Sequence, residues 1–305
     1  MLEVTVETEN GERNVRVSAD ELAGLVRRIG GYGDRFLVVQ QIPDLPEVFA
    51  QVWHEAGGDY TLEHRDGDAD RHFRATADRP EAVVEALSGW ARRQSDWGAG
   101  LAWSLLDMGP APEIPPLDLE EGDREDLERS VREVLAGGYA SRAYLAELAE
   151  DYLATEERRP VSREQAQALV DRMWLERVAE QGTWQGETDP ERLTRAFDAL
   201  QRAGITAREN FTCCRSCGQA EIGGEAEPGA RGFVYFHTQC TASAVAGHGL
   251  TLLYGGFDGS PETTAAIGHE VVAALETVGL RAEWDGDPGR AVTVAPLVWR
   301  RRLIG

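Results

Sequence analysis

Hydrophobic and polar residues alternate in short runs through the first hundred positions, a pattern typical of strands with one buried face. The Asn10-Gly11 pair separates the first two runs and is typical of a tight hairpin turn. Further strand-like runs follow at 35–41, 48–54, 60–65 and 71–75. Helical spacing of apolar residues predicts one helix beginning at Ser18 or Asp20 and another beginning at Asp78. We therefore predict that residues 1–109 form an α+β domain with an antiparallel sheet and two helices.

A different pattern begins after this domain. Residues 110–125 are rich in proline and then in acidic residues, which predicts an extended spacer between domains. Residues 126–185 carry only helical spacing and form a helical segment. In residues 186–305, helices alternate with five strand-like runs, at 205–211, 232–238, 250–257, 280–285 and 291–295. This alternation predicts a C-terminal α+β domain, an α/β sandwich of the ferredoxin-like kind.

The charge of the chain restricts its partners. There are 53 acidic residues against 31 basic ones, all of them arginine, and the formal net charge is −22. A surface this acidic repels nucleic-acid phosphates and anionic membranes, and it attracts basic proteins. No apolar run is long enough to span a membrane, and the first residues lack the pattern of a secretion signal. We expect a cytoplasmic protein that binds another protein, and the sequence indicates no oligomeric state.

Three histidines lie on consecutive predicted strands of the N-terminal sheet: His54, His64 and His72. A shared metal site would need all three on one face. If His64 shares the buried face with Tyr60, the pairing of the next strand places His72 on the opposite face. We therefore interpret them as ordinary sheet histidines.

The cysteines are the strongest candidate site. Cys214-x2-Cys217 and His237-x2-Cys240 are separated by 19 residues, which is the Cys3His spacing of a structural zinc site. Cys213 is the spare thiol in this interpretation, because adjacent side chains diverge. The predicted metal ligands are therefore Cys214, Cys217, His237 and Cys240, with zinc as the candidate cofactor.

Two alternatives remain open for the same residues. In the first, Cys214 and Cys217 serve a thiol-dependent enzyme, an oxidoreductase or a hydrolase, in which Arg215 and His237 lower the pKa of one thiol. In the second, the cysteines are small apolar side chains that fill a turn beneath the sheet.

Several motifs from about residue 126 onwards resemble an actinobacterial family known as domain of unknown function 6891. These motifs are Phe211-Thr212-Cys213-Cys214 with Cys217-Gly218, Ala220-Glu221-Ile222, Phe236-His237 followed by Gln239, Glu283-Trp284-Asp285-Gly286, and Trp299-Arg300-Arg301-Arg302. In the family pattern an acidic residue is usual at the position of Cys240 and a histidine at that of Gln219. The resemblance implies no activity.

The closing run Trp299-Arg300-Arg301-Arg302 has two interpretations. It is either a basic handle for an acidic partner or, as we prefer, a solvated end that contacts the acidic spacer. No catalytic motif accompanies it. We therefore expect a non-enzymatic protein-binding protein with a structural Cys/His cluster.

The net charge predicts that the protein does not bind duplex DNA or RNA at physiological salt. A chain of net charge −22 with dispersed arginines offers no basic groove from which counterions would be released. Fluorescence anisotropy with a labelled duplex should show no binding. A submicromolar affinity that falls steeply with added salt would contradict the prediction.

Overall fold

The structure is a computed structural model that describes residues 1–110 and 113–304. Its first part is a seven-stranded antiparallel sheet with strand order β2-β1-β3-β4-β5-β6-β7. The strands are β1 (Val4–Thr8), β2 (Arg13–Val15), β3 (Phe36–Gln41), β4 (Val48–Trp53), β5 (Tyr60–Asp66), β6 (His72–Ala77) and β7 (Ser104–Leu105). The predicted antiparallel sheet is thus confirmed. β7 was not predicted, because two residues are too short to show alternation.

Two helices cover one face of this sheet, as the sequence predicted. Helix α1 (Ala19–Arg28) is capped by Ser18, whose hydroxyl accepts from the Glu21 N–H while the Glu21 carboxylate accepts from the Ser18 N–H. Helix α2 (Pro80–Ala91) has proline in its first turn, where no N–H is needed. Apolar residues of both helices share one core with the inward side chains of β1 and β3.

The strand register separates His72 from His64. His64 pairs with Phe73 and Arg65 pairs with His72, so His72 lies on the opposite face from His64, as predicted. His64 stacks on Phe73 with ring centroids 4.9 Å apart, and His54 stacks on Tyr60 at 3.9 Å. Among the residues described, none of the three belongs to a cluster of metal-ligating atoms.

Three helices follow in the middle of the chain: α3 (Glu121–Gly137), α4 (Arg142–Asp151) and α5 (Arg163–Gln181). Helix α3 begins inside the predicted spacer 110–125. Acidic residues in a first turn favour a helix N-terminus through the helix dipole, and Glu121 and Asp123 occupy that turn. The carbonyl oxygens of Pro115 and Pro116 accept hydrogen bonds from Gln165 Nε2 at 3.1 and 3.0 Å. The spacer prediction at Ala111 and Pro112 lies outside the described residues.

The last part of the chain forms a five-stranded mixed sheet with order β11-β12-β10-β9-β8. Its elements are α6 (Asp189–Arg202), β8 (Ile205–Arg208), α7 (Arg215–Glu221), β9 (Gly232–Tyr235), α8 (Thr238–Val245), β10 (Leu250–Gly256), α9 (Pro261–Thr277), β11 (Ala282–Glu283) and β12 (Val292–Val294). Helices α6 and α9 pack on one face. The five predicted strands are present, but the ferredoxin-like arrangement is not confirmed by this order.

The chain divides into two compact units. Unit 1 contains residues 1–119, 141–178 and 303–305, and unit 2 contains residues 120–140 and 179–302. The predicted helical segment 126–185 is therefore shared between them, and the predicted domain boundaries stay a prediction. No helix among the described residues is both long and apolar enough to span a bilayer.

A buried ionic cluster stabilises unit 1. Arg142 Nε donates to Asp44 Oδ2 and Arg142 Nη1 donates to Asp171 Oδ1, both at 2.6 Å. Asp44 also accepts from Gln40 Nε2 at 3.0 Å, and its backbone carbonyl accepts from Trp174 Nε1 at 2.7 Å. Burial raises the pKa of the Asp44 carboxyl, while the Arg142 guanidinium opposes that rise. One cation therefore bridges two carboxylates.

We predict that Arg142→Met lowers the unfolding free energy by about 3–5 kcal/mol, because removal of the cation leaves Asp44 as an uncompensated buried charge beside Asp171. Urea unfolding followed by circular dichroism measures the loss. The matched control is Arg79→Met, since the Arg79–Asp78 pair is 71% and 79% exposed and should change stability by less than about 0.5 kcal/mol. Equal effects of the two variants would contradict the role given to Arg142.

Candidate metal centre

The candidate site lies at one edge of the sheet of unit 2. Strands β8 and β9 run parallel, with Arg208 opposite Tyr235. Parallel strands end at the same edge of a sheet, so the segments that follow them lie side by side. One segment carries Cys213, Cys214 and Cys217, and the other carries His237 and Cys240.

The turn after β8 has an unusual backbone. Asn210 and Thr212 have φ values of +49° and +61°, in the left-handed region that β-branched residues such as Thr212 rarely adopt. Three hydrogen bonds fix this turn to the end of β9. The Phe211 N–H donates to the Phe236 carbonyl at 2.8 Å, and the Thr212 carbonyl accepts from the N–H and the hydroxyl of Thr238 at 3.2 and 2.9 Å. The backbone therefore enters α7 along a fixed direction.

This turn brings three thiols together. Helix α7 begins at Arg215 with Cys214 as its N-cap residue, so Cys217 lies in the first turn of the helix. The sulfur atoms of Cys213, Cys214 and Cys217 all lie within 4.8 Å of one another. Cys213 Sγ and Cys217 Sγ are 3.5 Å apart. Cys213 is exposed and the other two are partly exposed, so the cluster is open to solvent.

The thiols of Cys214 and Cys217 differ in acidity. The Cys217 backbone N–H is the main cause that lowers the pKa of Cys214, and the thiols of Cys217 and Cys213 add to the effect. Hydrogen bonds with Cys213 and Cys214 raise the pKa of Cys217 to about 11. Cys214 is therefore the thiol of this pair that ionises first, and its thiolate is the form that binds metal ions.

The other two predicted ligands form a separate pair. His237 is the N-cap residue of α8, and its ring nitrogens lie 3.4 and 3.6 Å from Cys240 Sγ. Both side chains are buried. Burial and the charge of Arg215 lower the pKa of His237, and burial raises the pKa of the Cys240 thiol. These are the properties of a neutral, packed pair.

The structure thus divides the predicted ligand set. Cys214 and Cys217 lie in one group, whereas His237 and Cys240 face each other. Cys213, which the sequence analysis set aside, belongs to the first group. Adjacent side chains do diverge on a regular backbone, but the left-handed Thr212 and the extended Cys214 (φ −156°, ψ 172°) produce a sharp turn that returns Cys213 to the cluster. A run of two cysteines before a helix was the only signal for it.

The C-terminal run is held by unit 2 and is not the solvated end that we preferred from sequence. Arg301 Nη1 pairs with Glu209 Oε2 at 2.9 Å, and the Arg301 guanidinium lies 3.8 Å from the ring centroid of Tyr139. The Tyr139 hydroxyl donates to Glu209 Oε2 at 2.6 Å. Arg302 pairs with Glu191. These arginines contact acids of unit 2 and anchor Glu209, the residue directly before the thiol turn.

A family model described as "Domain of unknown function (DUF6891)" matches residues 120–303, more than half of the chain. The chain belongs to this family. No curated protein and no solved structure matches the chain. The DUF6891 region contains the thiol turn, the His237–Cys240 pair and the residues of the C-terminal run.

A close contact fixes helix α7 of the DUF6891 region against its sheet. A Cβ atom at Gly218 would lie 2.4 Å from Tyr235 Cε2 and 3.0 Å from the Tyr235 hydroxyl, so only glycine fits here. The Tyr235 hydroxyl donates to the Arg215 carbonyl at 3.3 Å. Tyr235 also packs with Phe211 and Ile222 on this side of β9. The helix that carries Cys217 is therefore positioned by one aromatic ring.

We predict that Gly218→Ala destabilises unit 2 by about 1–3 kcal/mol, because the added methyl group overlaps Tyr235 and one of them must move. Gly223→Ala is the matched control in the same segment, since a Cβ atom there meets nothing within 4 Å. Urea unfolding of both variants measures the difference. Tolerance of alanine at both positions would show that α7 is not held by Tyr235.

Proposed function

We propose that this is a non-enzymatic binding protein whose DUF6891 region holds a zinc ion on Cys213, Cys214 and Cys217. The observation that supports the proposal is the convergence of three accessible thiols within 4.8 Å. Thiolates are soft ligands that select zinc or Cu(I) over Mg²⁺ and Ca²⁺. The chemistry of the donor set therefore fits a zinc ion.

The spacing of the sulfur atoms also fits. A tetrahedral zinc ion with Zn–S bonds of about 2.3 Å holds its sulfur atoms about 3.8 Å apart. The Cys213–Cys217 separation is 3.5 Å, and the largest separation within the group is no more than 4.8 Å. Rotation of short cysteine side chains about χ1 covers differences of this size. The backbone does not have to rearrange.

A metal ion here has a structural role. The ion joins the turn before α7 to the first turn of that helix. The hydrogen bonds from Thr238 to the Thr212 carbonyl already hold the turn, and the contact of Gly218 with Tyr235 holds the helix. Binding free energy that favours the folded form over the unfolded one stabilises the fold. The proposed ion thus secures an exposed segment that few apolar contacts hold.

The partner that we propose is another protein with a basic surface. The net charge of −22 attracts such a surface and speeds encounter with it, and it disfavours nucleic acids and anionic membranes. In described residues, many arginines pair with acidic side chains of their own unit, for example Arg231 with Glu270 and Arg35 with Glu9. The acidic side chains that exceed the arginines in number therefore supply the negative charge that would attract the partner.

A thiol-dependent enzyme is the second candidate. Cys214 and Cys217 have the Cys-x2-Cys spacing at a helix start. The short Cys213–Cys217 separation would let one of these thiols attack a mixed disulfide formed on the other and close a disulfide between them. Such an oxidoreductase would pass two electrons and two protons from a thiol pair to an acceptor disulfide. Reaction with a thiol reagent as a function of pH tests it. Rapid reaction well below neutral pH would favour the enzyme.

We predict that the protein purified without an affinity tag contains about one equivalent of zinc per chain. Cys213→Ser, Cys214→Ser and Cys217→Ser should each lower the zinc affinity by at least about 10–100-fold, the loss that even an outer-shell change causes. Cys240→Ala should retain the metal. Elemental analysis and competition with a chromophoric chelator measure both quantities.

The same variants test the four-ligand prediction. Retained zinc in Cys213→Ser together with lost zinc in Cys240→Ala would favour the set Cys214, Cys217, His237 and Cys240. Failure of the unmodified protein to take up zinc or Co²⁺ would refute the metal proposal and leave the thiols as reactive or packed side chains.

A further inference from the structure

The three-thiol group leaves one ligand position of a tetrahedral zinc ion unfilled by this chain. Structural zinc sites in proteins are almost always four-coordinate. Among the described residues, no histidine, aspartate or glutamate places a ligand atom within the group. The other two ligands predicted from the sequence, His237 and Cys240, are 7% exposed each and face one another.

The open position is accessible from outside. Cys213 is exposed, and Arg215 and Ser216, which follow Cys214, are exposed as well. Helix α7 packs on the sheet through Gly218 and Ile222, so the cysteine end of the helix stays at the surface. A donor atom from another molecule can reach an ion on the three sulfur atoms without any change in the core.

Charge decides which donor suits this position. A divalent cation with three thiolates carries a net charge of −1, and the whole chain carries −22. A fourth anionic ligand would be repelled both by the negative charge of the ion with its three thiolates and by the net negative charge of the chain. A neutral imidazole nitrogen adds none and is, with thiolate, the commonest ligand of structural zinc sites. Cys3His is then the resulting ligand set.

We infer that the zinc ion on Cys213, Cys214 and Cys217 takes its fourth ligand, an imidazole nitrogen, from outside the chain. This inference rests on the proposed metal site. The ion then links the DUF6891 region to a histidine of another polypeptide, and metal loading controls the association. One source is a second copy of this chain, because its His248 and His269 are exposed. The other source is a different histidine-bearing protein.

Cobalt spectroscopy tests the inference on the full chain. Co²⁺ replaces Zn²⁺ and shows both sulfur-to-cobalt charge-transfer bands and visible d–d bands that report the fourth ligand. We expect charge-transfer bands for the unmodified protein and, where it is monomeric with Co²⁺, a saturable shift of the d–d bands when free imidazole is added. Acetate at the same concentration should shift them far less. His237→Gln should leave both the bands and the imidazole response unchanged.

The possible failures are distinct. Absence of charge-transfer bands would refute the proposed metal site itself. Charge-transfer bands without an imidazole response in protein that stays monomeric with Co²⁺, or a d–d spectrum altered by His237→Gln, would overturn the inference alone, because the chain would then supply its own fourth ligand. An acetate response as large as the imidazole response would also overturn it, since the charge argument would be wrong.

The source of the imidazole is read from the oligomeric state. Size-exclusion chromatography with and without Co²⁺ should show a metal-dependent dimer that His248→Ala or His269→Ala abolishes if a second copy supplies the ligand. A monomer that still responds to free imidazole supports a histidine on a different protein. Both results support an external imidazole and separate its two sources.

Discussion

The thiol cluster depends on one backbone interaction, the attachment of the Phe211–Thr212 turn to the residues that follow β9. Left-handed backbone conformations cost a non-glycine residue about 1–2 kcal/mol, and this turn contains two of them, at Asn210 and Thr212. The hydrogen bonds to Phe236 and Thr238 keep the turn in place. Loss of these hydrogen bonds would release the turn that places Cys213 beside Cys214 and Cys217.

The parallel pairing of β8 with β9 explains why these hydrogen bonds exist at all. Both strands end at one edge, so the chain leaving β8 meets the chain leaving β9 and their backbones pair beyond the sheet. The same topology places the His237–Cys240 pair next to the cysteine turn without making it part of the cluster. His237 and Cys240 therefore lie near the three-thiol cluster without belonging to it.

Sequence patterns predicted the secondary structure more completely than the site. Alternation fixed the N-terminal strands and their register, including the position of His72, because one face of that sheet is buried. The closeness of Cys213 to Cys217 was not predicted, because the sequence gives no sign of a left-handed backbone at Thr212. Arg301 was misjudged because charge suggests exposure, whereas its guanidinium lies on Tyr139 and pairs with Glu209. The Arg301 contacts join segments that are distant in sequence, and the left-handed Thr212 is held by Thr238, 26 residues further along the chain.

The placement of α7 also bears on how freely this region can change during evolution. Two features position the cysteines. The turn precedes α7, and the contact of Gly218 with Tyr235 lies within that helix. The stretch from Gly223 to Ala230 plays no part in these contacts. Insertions, deletions and substitutions there can alter the outline and charge of the surface near the thiols while the sulfur atoms keep their positions. The surface beside the thiols can thus diverge while the three-thiol cluster is kept.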